Sequence, residues 1–292
     1  MRPAPDFNAD SAFGFVESQV AFGPRVPGTT AHRSCGDFLA QVFNVYGASV
    51  TEQLDSVTGF DGKHLPLRNI IASFQTEKTR RVMLCAHWDT RPYADQDTLR
   101  RDEPIDGAND GASGVAVLLE IARNLGSVSP EVGVDIVLFD VEDQGRPAYM
   151  PSTGTNGHFF SLGSRYWARN TDGYRAEYGI LLDMVGAADA VFTLEGISMQ
   201  YAEHVMRKVW DTGNRLGYQD HFRYNLTRAI IDDHNYVNEL AGIPCIDIIQ
   251  YDNRTRMRFG PYWHTHDDNI DIIDPNTLKA VGQTVLQVIY NE

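Results

Sequence analysis

Residues 81–89, RVMLCAHWD, decide the fold of this chain, because an apolar run ends there directly in a histidine and an aspartate. The uninterrupted apolar residues at 82–86 are typical of a strand that is buried on both faces of a sheet. Three more buried strands are predicted on the same grounds at 135–139, 179–182 and 244–249. Helical patterns separate these strands along the chain, and such alternation predicts a largely parallel sheet with helices on both faces.

Two further strands and seven helices complete the predicted order of elements. The strands are expected near 50–57 and 68–75, and the helices near 11–21, 31–46, 109–126, 164–170, 198–216, 233–241 and 275–290. Asp10 or Ser11 is predicted to cap the first helix, and Asp274 with Pro275 to begin the last one. We therefore expect one α/β domain over residues 1–292, with a central, mostly parallel mixed sheet flanked by helices on both faces.

Two polar stretches that are rich in glycine and proline stand apart from these elements, at 91–108 and 144–163. They are predicted to be long surface loops. Long loops in compact enzymes often line the active site, so we expect both stretches to lie near it.

The formal net charge of −14 limits the partners of this chain. Such an acidic surface should repel nucleic acids and anionic membranes. No run of about 18 apolar residues is present, so no membrane span is predicted. The first six residues contain no apolar signal-peptide core, which fits a cytosolic protein and equally an exported protein whose signal has been removed.

The three cysteines, Cys35, Cys85 and Cys245, are scattered along the chain and each lies in an apolar stretch. We expect them to be small buried hydrophobic residues. Their odd number excludes a complete disulfide framework and leaves room for one bridge at most.

Chemically useful side chains follow three of the predicted strands: His87, then Glu142 with Asp143, and Asp183. In open parallel sheets, ligands bind at the carboxyl ends of the strands. A single histidine or aspartate in such a place is more often a helix cap or a satisfied polar group. The number of such residues changes this interpretation.

Ten acidic or histidine side chains are expected at this edge of the sheet. They are His87, Asp89, Asp110, Glu142, Asp143, Asp183, Asp232, Asp233, His234 and His264. So many carboxylates in one cleft repel each other, and a bound cation is needed to neutralise them. Zinc suits a mixed imidazole and carboxylate site with an open position, whereas magnesium and calcium prefer oxygen ligands alone.

Seven short segments, in this order, resemble the zinc-dependent family that contains the M28 aminopeptidases and the glutaminyl cyclases. They are 22–28, 86–89, 107–110, 139–143, 181–187, 232–234 and 263–265. The resemblance covers nearly the whole chain. One His-x-Asp or Glu-Asp pair would be a weak sign, but the complete set in this order is specific.

The resemblance implies a set of metal ligands and a general base. The five metal-ligand positions of the aminopeptidases are occupied by His87, Asp110, Asp143, Asp183 and His264, and Glu142 takes the position of the base. For a cyclase, the resemblance implies a single Zn²⁺ bound by Asp110, Asp143 and His264. A two-zinc aminopeptidase would use all five, with Asp110 bridging both ions.

Two residues favour the cyclases within this family. Trp263 stands before His264 where the peptidases usually carry tyrosine, and Asp232 stands where they usually carry serine. The resemblance implies that Asp232 and Asp183 share a hydrogen-bond network and act in catalysis with Glu142. Two alternatives stay open, since Trp263 also fits an ordinary core aromatic and Asp232 a helix cap.

The resemblance further implies a substrate pocket with Trp263 and Phe259 in its wall, and with Glu142 and Asp232 in contact with the substrate. Asp143 stands where animal cyclases commonly carry glutamate, so the backbone must approach the metal more closely. The loop after Asp143 matches the animal enzymes poorly, and no aromatic residue in it, Tyr149 included, is assigned.

The predicted function is therefore that of a zinc-dependent glutaminyl-peptide cyclotransferase, an aminoacyl-type acyltransferase. It would convert the N-terminal glutamine of peptides or proteins to pyroglutamate and release ammonia. The main alternative is a two-zinc aminopeptidase, and a further one is a binding protein that kept the fold without activity. One Zn²⁺ per chain is expected, with no nucleic-acid partner. A monomer is favoured, as is a periplasmic or secreted location, with a cytoplasmic one left open.

Overall fold

The computed structural model describes residues 3–151 and 159–292 of the chain. Met1 and Arg2, from the N-terminal segment considered above, lie outside the described residues, as do residues 152–158 of the loop predicted at 144–163. The described part contains eight strands. They are β1 (Ser49–Thr58), β2 (His64–Phe74), β3 (Arg81–His87), β4 (Gly133–Phe139), β5 (Gly179–Asp183), β6 (Phe192–Leu194), β7 (Phe222–Leu226) and β8 (Cys245–Ile249).

Seven α-helices accompany these strands in the described residues. They are α1 (Ala9–Val20), α2 (Thr30–Val45), α3 (Ala112–Ser127), α4 (Leu162–Arg169), α5 (Gly196–Arg215), α6 (Asp233–Tyr236) and α7 (Pro275–Tyr290). A π-helical turn, Val237–Ala241, continues α6, and a 3₁₀ turn, Ile270–Ile272, precedes α7.

Six strands form one mixed sheet in the order β1-β2-β4-β3-β5-β8. The four strands β4, β3, β5 and β8 are parallel, whereas β1 and β2 join the edge in antiparallel register. The parallel strands are the four apolar runs of the sequence, and nearly all of their residues are buried. The predicted fold, a mostly parallel mixed sheet with helices on both faces, is therefore confirmed.

Alternate residues of β3 belong to different hydrophobic clusters, which shows that both faces of the sheet are covered. Val82 and Leu84 pack in the cluster that includes residues of α1, α2, α3, α5 and α7. Met83 and Cys85 pack in a smaller cluster with Trp167 of α4. The cysteine prediction holds as well, because all three thiols are buried and none forms a disulfide.

Two details of the predicted elements are wrong or missing. Helix α1 begins at Ala9 and is capped by Asn8, whose side chain accepts from the Ser11 amide, instead of by Asp10 or Ser11. Asparagine and aspartate cap equally well, so sequence preference could not choose between successive candidates. Strands β6 and β7 form a separate two-stranded pair that was not predicted, because β7 is mostly exposed and shows no apolar alternation. Asp274 and Pro275 do begin the last helix.

None of the helices in the part of the chain that the structure describes is long and apolar enough to cross a membrane.

Candidate active site and metal centre

A cavity of about 360 Å³ opens at the carboxyl ends of the parallel strands. Eight of the residues that the sequence nominated for the site line it: Asp110, Glu142, Asp143, Asp183, Asp232, Phe259, Trp263 and His264. The other four nominated residues, His87, Asp89, Asp233 and His234, are not among the residues that line it. The eight lining residues come from six separate segments of the chain, up to 154 residues apart between Asp110 and His264. A volume of this size is in the range of sites that bind small molecules or the end of a peptide.

Asp110, Asp143 and His264 form what we call the first triad. One ligand atom from each lies within 4.8 Å of the others, and all three side chains are buried. His264 Nε2 is 3.6 Å from Asp110 Oδ2 and 3.4 Å from Asp143 Oδ1. Asp143 Oδ2 is buried and has no hydrogen-bond partner among the residues that the structure describes. One imidazole and two carboxylates with a free acceptor fit the donor set that zinc prefers.

His87, Asp110 and Asp183 form the second triad, which meets the same 4.8 Å criterion and shares Asp110 with the first. His87 Nε2 is 3.1 Å from Asp110 Oδ1 and 3.3 Å from Asp183 Oδ1. Within residues 3–151 and 159–292, Asp183 Oδ1 and both ring nitrogens of His87 lack a hydrogen-bond partner of good geometry. By donor type and spacing alone, the cavity could hold one metal ion or two.

The loop that carries Asp110 is fixed from two sides. The amides of Asn109 and Asp110 donate to the buried carboxylate of Asp268, at 2.7 and 3.0 Å. Gly111 follows with φ of 101°, and a Cβ there would lie 2.8 Å from the Asp89 carbonyl oxygen. Only glycine allows the start of α3 to approach the end of β3 this closely. Asp268 was not among the residues that the sequence nominated for the site.

Three non-glycine residues at the site have left-handed backbone conformations. They are Val141 (φ 55°), Met184 (φ 49°) and His264 itself (φ 56°). Such conformations are costly for side chains with a Cβ and collect where function requires them. Val141 turns the chain after β4, so Asp143 enters the first triad while its neighbour Glu142 does not.

Glu142 has the environment of a general acid and base. Its Oε1 accepts a hydrogen bond from Ser161 Oγ at 3.0 Å. Burial raises the pKa of the Glu142 carboxyl well above its ordinary value, and the neighbouring carboxylates of Asp143 and Asp232 raise it further. A carboxyl whose pKa moves toward neutral can accept and return a proton at physiological pH.

Asp232 is at once a helix cap and a wall residue of the cavity. Its Oδ1 accepts from the Asp233 amide at 2.5 Å at the start of α6, whereas its Oδ2 has no hydrogen-bond partner in the described part of the chain. Burial and the Asp232 carboxylate raise the pKa of Asp183 to about 7. The cap interpretation and the cavity interpretation of Asp232 therefore hold together.

Trp263 and Phe259 form an aromatic wall next to the first triad. The Trp263 ring stacks on the His264 imidazole with centroids 3.6 Å apart, and the Phe259 ring lies 4.9 Å from that of Trp263. Both aromatic side chains are only partly buried and border the cavity. The alternative that Trp263 is an ordinary core aromatic is therefore wrong.

Three residues near the site were missed by sequence reasoning. Phe160, from the loop after Asp143, lines the cavity, and Arg91 and Asp95 lie behind the first triad. Tyr149 of the same loop is not among the lining residues; its hydroxyl donates to Asp102 instead. The signal for Arg91 and Asp95 was their place in the predicted loop at 91–108, but loop sequence does not show which side chains turn inward.

The sequence model of Peptidase family M28 matches residues 69–289 of this chain. The crystal structure of Tannerella forsythia glutaminyl cyclase superposes with a TM-score of 0.96 at 51% identity, covering 99% of this chain and 100% of that one. The crystal structure of a Zn-dependent exopeptidase from Parabacteroides distasonis gives a TM-score of 0.96 at 49% identity, with 99% and 100% covered.

Curated relatives are more distant. The glutaminyl-peptide cyclotransferase of Bothrops jararaca is 26% identical over 250 residues, which cover 77% of this chain and 65% of that relative. The chain spans between 40% and 65% of the length of the first curated relatives that it matches.

Proposed function

The chain belongs to peptidase family M28, and from that premise we propose that it is a glutaminyl-peptide cyclotransferase with a catalytic zinc ion. The observation that carries the proposal is the meeting of three acidic side chains, Glu142, Asp183 and Asp232, with an aromatic wall in the cavity beside the first triad. Cyclisation of an N-terminal glutamine requires that its α-amine and its side-chain amide be held close together and that a proton move from one to the other. Acidic side chains can hold both groups and transfer the proton, and an aromatic wall can pack against the apolar stem.

In the proposed reaction, the α-amine of an N-terminal glutamine attacks its own side-chain amide carbon. A carbon–nitrogen bond forms in the new ring, the bond to the side-chain nitrogen breaks, and ammonia leaves. No water is consumed. Zinc, when bound by Asp110, Asp143 and His264, supplies a Lewis acid that polarises the amide carbonyl and stabilises the developing negative charge.

The side chains of the cavity carry the other tasks. Glu142 accepts the proton of the attacking amine and delivers it to the leaving ammonia. Asp183 and Asp232 offer free carboxylate oxygens that hold the substrate amine and amide by hydrogen bonds. Trp263 and Phe259 pack against the glutamine stem. The substrate must fold back on itself, so orientation in this pocket supplies much of the rate.

We propose one zinc ion per chain, on the first triad. The orientation of its histidine supports this count, because His264 Nδ1 lies 3.1 Å from Asp95 Oδ1. A carboxylate in this place fixes the tautomer that leaves Nε2 free for a metal. The corresponding contact of His87, Nδ1 to Asp89 Oδ1, is 3.6 Å long.

The retained second triad keeps one rival function open, a two-zinc aminopeptidase in which Glu142 activates a water molecule. A peptide assay separates the two. The zinc-loaded protein is incubated with a peptide that begins with glutamine and with a matched peptide that begins with leucine. Cyclisation removes the mass of one ammonia from the first and leaves the second intact. Release of free glutamine or leucine would refute the cyclase proposal.

The proposed substrates are peptides or proteins with an N-terminal glutamine, and the proposed location is the periplasm or the exterior of the cell. We also propose that the protein acts as a monomer. Fractionation of the native host with an antibody to this chain tests the location, and sedimentation equilibrium tests the monomer.

A further inference from the structure

A buried guanidinium lies directly behind the first triad. Arg91 is 1% exposed. Its Nε donates to Asp95 Oδ1 at 2.7 Å, and its Nη1 donates to Asp143 Oδ1 at 3.1 Å and to the Asp143 carbonyl oxygen at 3.2 Å. Arg91 therefore contacts Asp143, a proposed zinc ligand, and also Asp95, the carboxylate next to the proposed ligand His264.

Asp95 also contacts His264, the histidine of the first triad. Its Oδ1, which accepts from Arg91, also accepts from His264 Nδ1 at 3.1 Å, and its Oδ2 accepts from the Ala148 amide at 2.8 Å. Both oxygens of Asp95 are therefore held by hydrogen bonds, which fix its carboxyl group between Arg91 and His264.

The contacts form one continuous chain, His264–Asp95–Arg91–Asp143, that joins two of the three ligands from their outer side. The two ligands are 121 residues apart in sequence. Arginine is suited to this role because its planar fork donates in fixed directions, whereas lysine presents a single point charge. Arg91 occupies Asp143 Oδ1, whereas Oδ2 has no partner among the described residues.

We propose that Arg91 is a positioning residue that fixes Asp143 and His264 in the geometry that binds zinc, and that it thereby sets the zinc affinity of the centre. This inference rests on the proposed function only in placing zinc at the first triad. Asp143 has a short side chain, so small movements of its carboxylate change its distance to the metal. Arg91 restrains that movement by gripping both the carboxylate and the backbone of the same residue.

The test measures zinc affinity by competition with a chelator, for the wild type, Arg91→Lys and Arg91→Gln. Loss of a partner that orients metal ligands typically costs about 10- to 100-fold in affinity. We expect a loss of this size for both variants, because neither side chain bridges Asp95 and Asp143. Wild-type affinity in Arg91→Lys would overturn the proposal, since positive charge without the fork would then suffice.

Arg81 provides a matched control at the amino end of β3, the strand that precedes the loop of Arg91. Its guanidinium grips Asp135 through Nε at 2.6 Å and Nη2 at 2.7 Å, far from the cavity. Arg81→Lys should lower the melting temperature of the zinc-free protein while leaving zinc affinity within about twofold. An equal loss of zinc affinity in Arg81→Lys would mean that Arg91 acts through general stability, and would also overturn the proposal.

A second variant keeps the test decisive if the Arg91 variants do not fold. Asp95→Asn retains the shape of the side chain but weakens both hydrogen bonds, so zinc affinity should again fall about tenfold or more. Wild-type affinity in Asp95→Asn would refute the chain of contacts. Zinc affinity is measured without the reaction, so the two proposals can fail separately. If the wild type binds zinc through His264 but releases free glutamine, the cyclase proposal is refuted and the role of Arg91 is not.

Discussion

The two triads of the cavity contain the same kinds of ligand but differ in what lies behind them. The imidazole of the first, His264, is 3.1 Å from Asp95, and Arg91 holds that carboxylate in place. The imidazole of the second, His87, is 3.6 Å from Asp89. Asp89 is engaged elsewhere, since its oxygens accept from the amides of Glu142 and Asp143.

A set of suitably spaced metal ligands does not by itself make a metal site of high affinity. A histidine binds metal well when its second nitrogen is held by a partner that fixes the ring and its tautomer. Among the described residues, such support lies at hydrogen-bond distance in the first triad and not in the second. We therefore expect the two triads to bind zinc unequally, with the first filled before the second.

The largest expected effect comes from removing the histidine of each triad in turn. His264→Ala should lose tight zinc binding, and turnover should fall on the order of 1000-fold because several kcal/mol of charge stabilisation is lost. His87→Ala should retain one zinc per chain and far more of the activity. Zinc content by elemental analysis and the rate of ammonia release measure both. Equal loss of zinc in the two variants would contradict the comparison.

Glu142→Gln separates catalysis from metal binding beside the first triad. The amide cannot accept a proton, so turnover should fall by at least about 100-fold. Because Glu142 does not belong to either triad, zinc content should stay at the wild-type value. Ammonia release and elemental analysis on the same sample provide the check. Activity that survives this change would show that the proposed proton transfer is wrong.

Trp263→Leu sharpens the comparison from the substrate side, since Trp263 stacks on the histidine of the first triad alone. Leucine keeps an apolar wall but removes the stacked ring and part of the contact with the substrate stem. We expect KM for a glutamine-initiated peptide to rise roughly tenfold, with little change in zinc affinity. Phe192→Leu, in the hydrophobic core away from the cavity, serves as the control for general destabilisation. An unchanged KM would show that Trp263 does not contribute to substrate binding.

The smallest expected effect is a pH dependence of stability without zinc. Burial raises the pKa of Glu142 well above its ordinary value, and burial with nearby carboxylates raises those of Asp183 and Asp268 to about 7. The folded protein then binds more protons than the unfolded chain, so its free energy of unfolding falls as the pH rises between about 5 and 7.5. The melting temperature of the zinc-free protein should drop by roughly 5 °C.

Zinc should flatten this dependence, because metal binding requires deprotonated ligands and strengthens as the pH rises. Melting curves of zinc-free and zinc-loaded protein over the same pH range make the comparison. A zinc-free protein that becomes more stable with rising pH would contradict the expected burial of protonated carboxyls.

Much of the site was predictable because its residues follow strands that are easily recognised from their continuous apolar runs. The runs that end at His87, Phe139 and Asp183 are apolar on both faces, and parallel strands place their carboxyl ends at one edge. Eight of the nominated residues therefore line one cavity, and their roles there stay predictions. The start of the last helix was also predictable, because Asp274 followed by Pro275 is typical of an N-cap and the first helical position.

Which residues lie at that edge can be predicted from the sequence, since hydrophobic period and strand ends are local properties of the chain. Which of these residues support each other depends on tertiary packing. Asp95 and His264 are 169 residues apart, and Arg91 turns inward from a loop whose composition is that of a surface. Such contacts depend on how distant elements pack, because the free energy of burying a charge is settled by its partners in space and not by its neighbours in sequence.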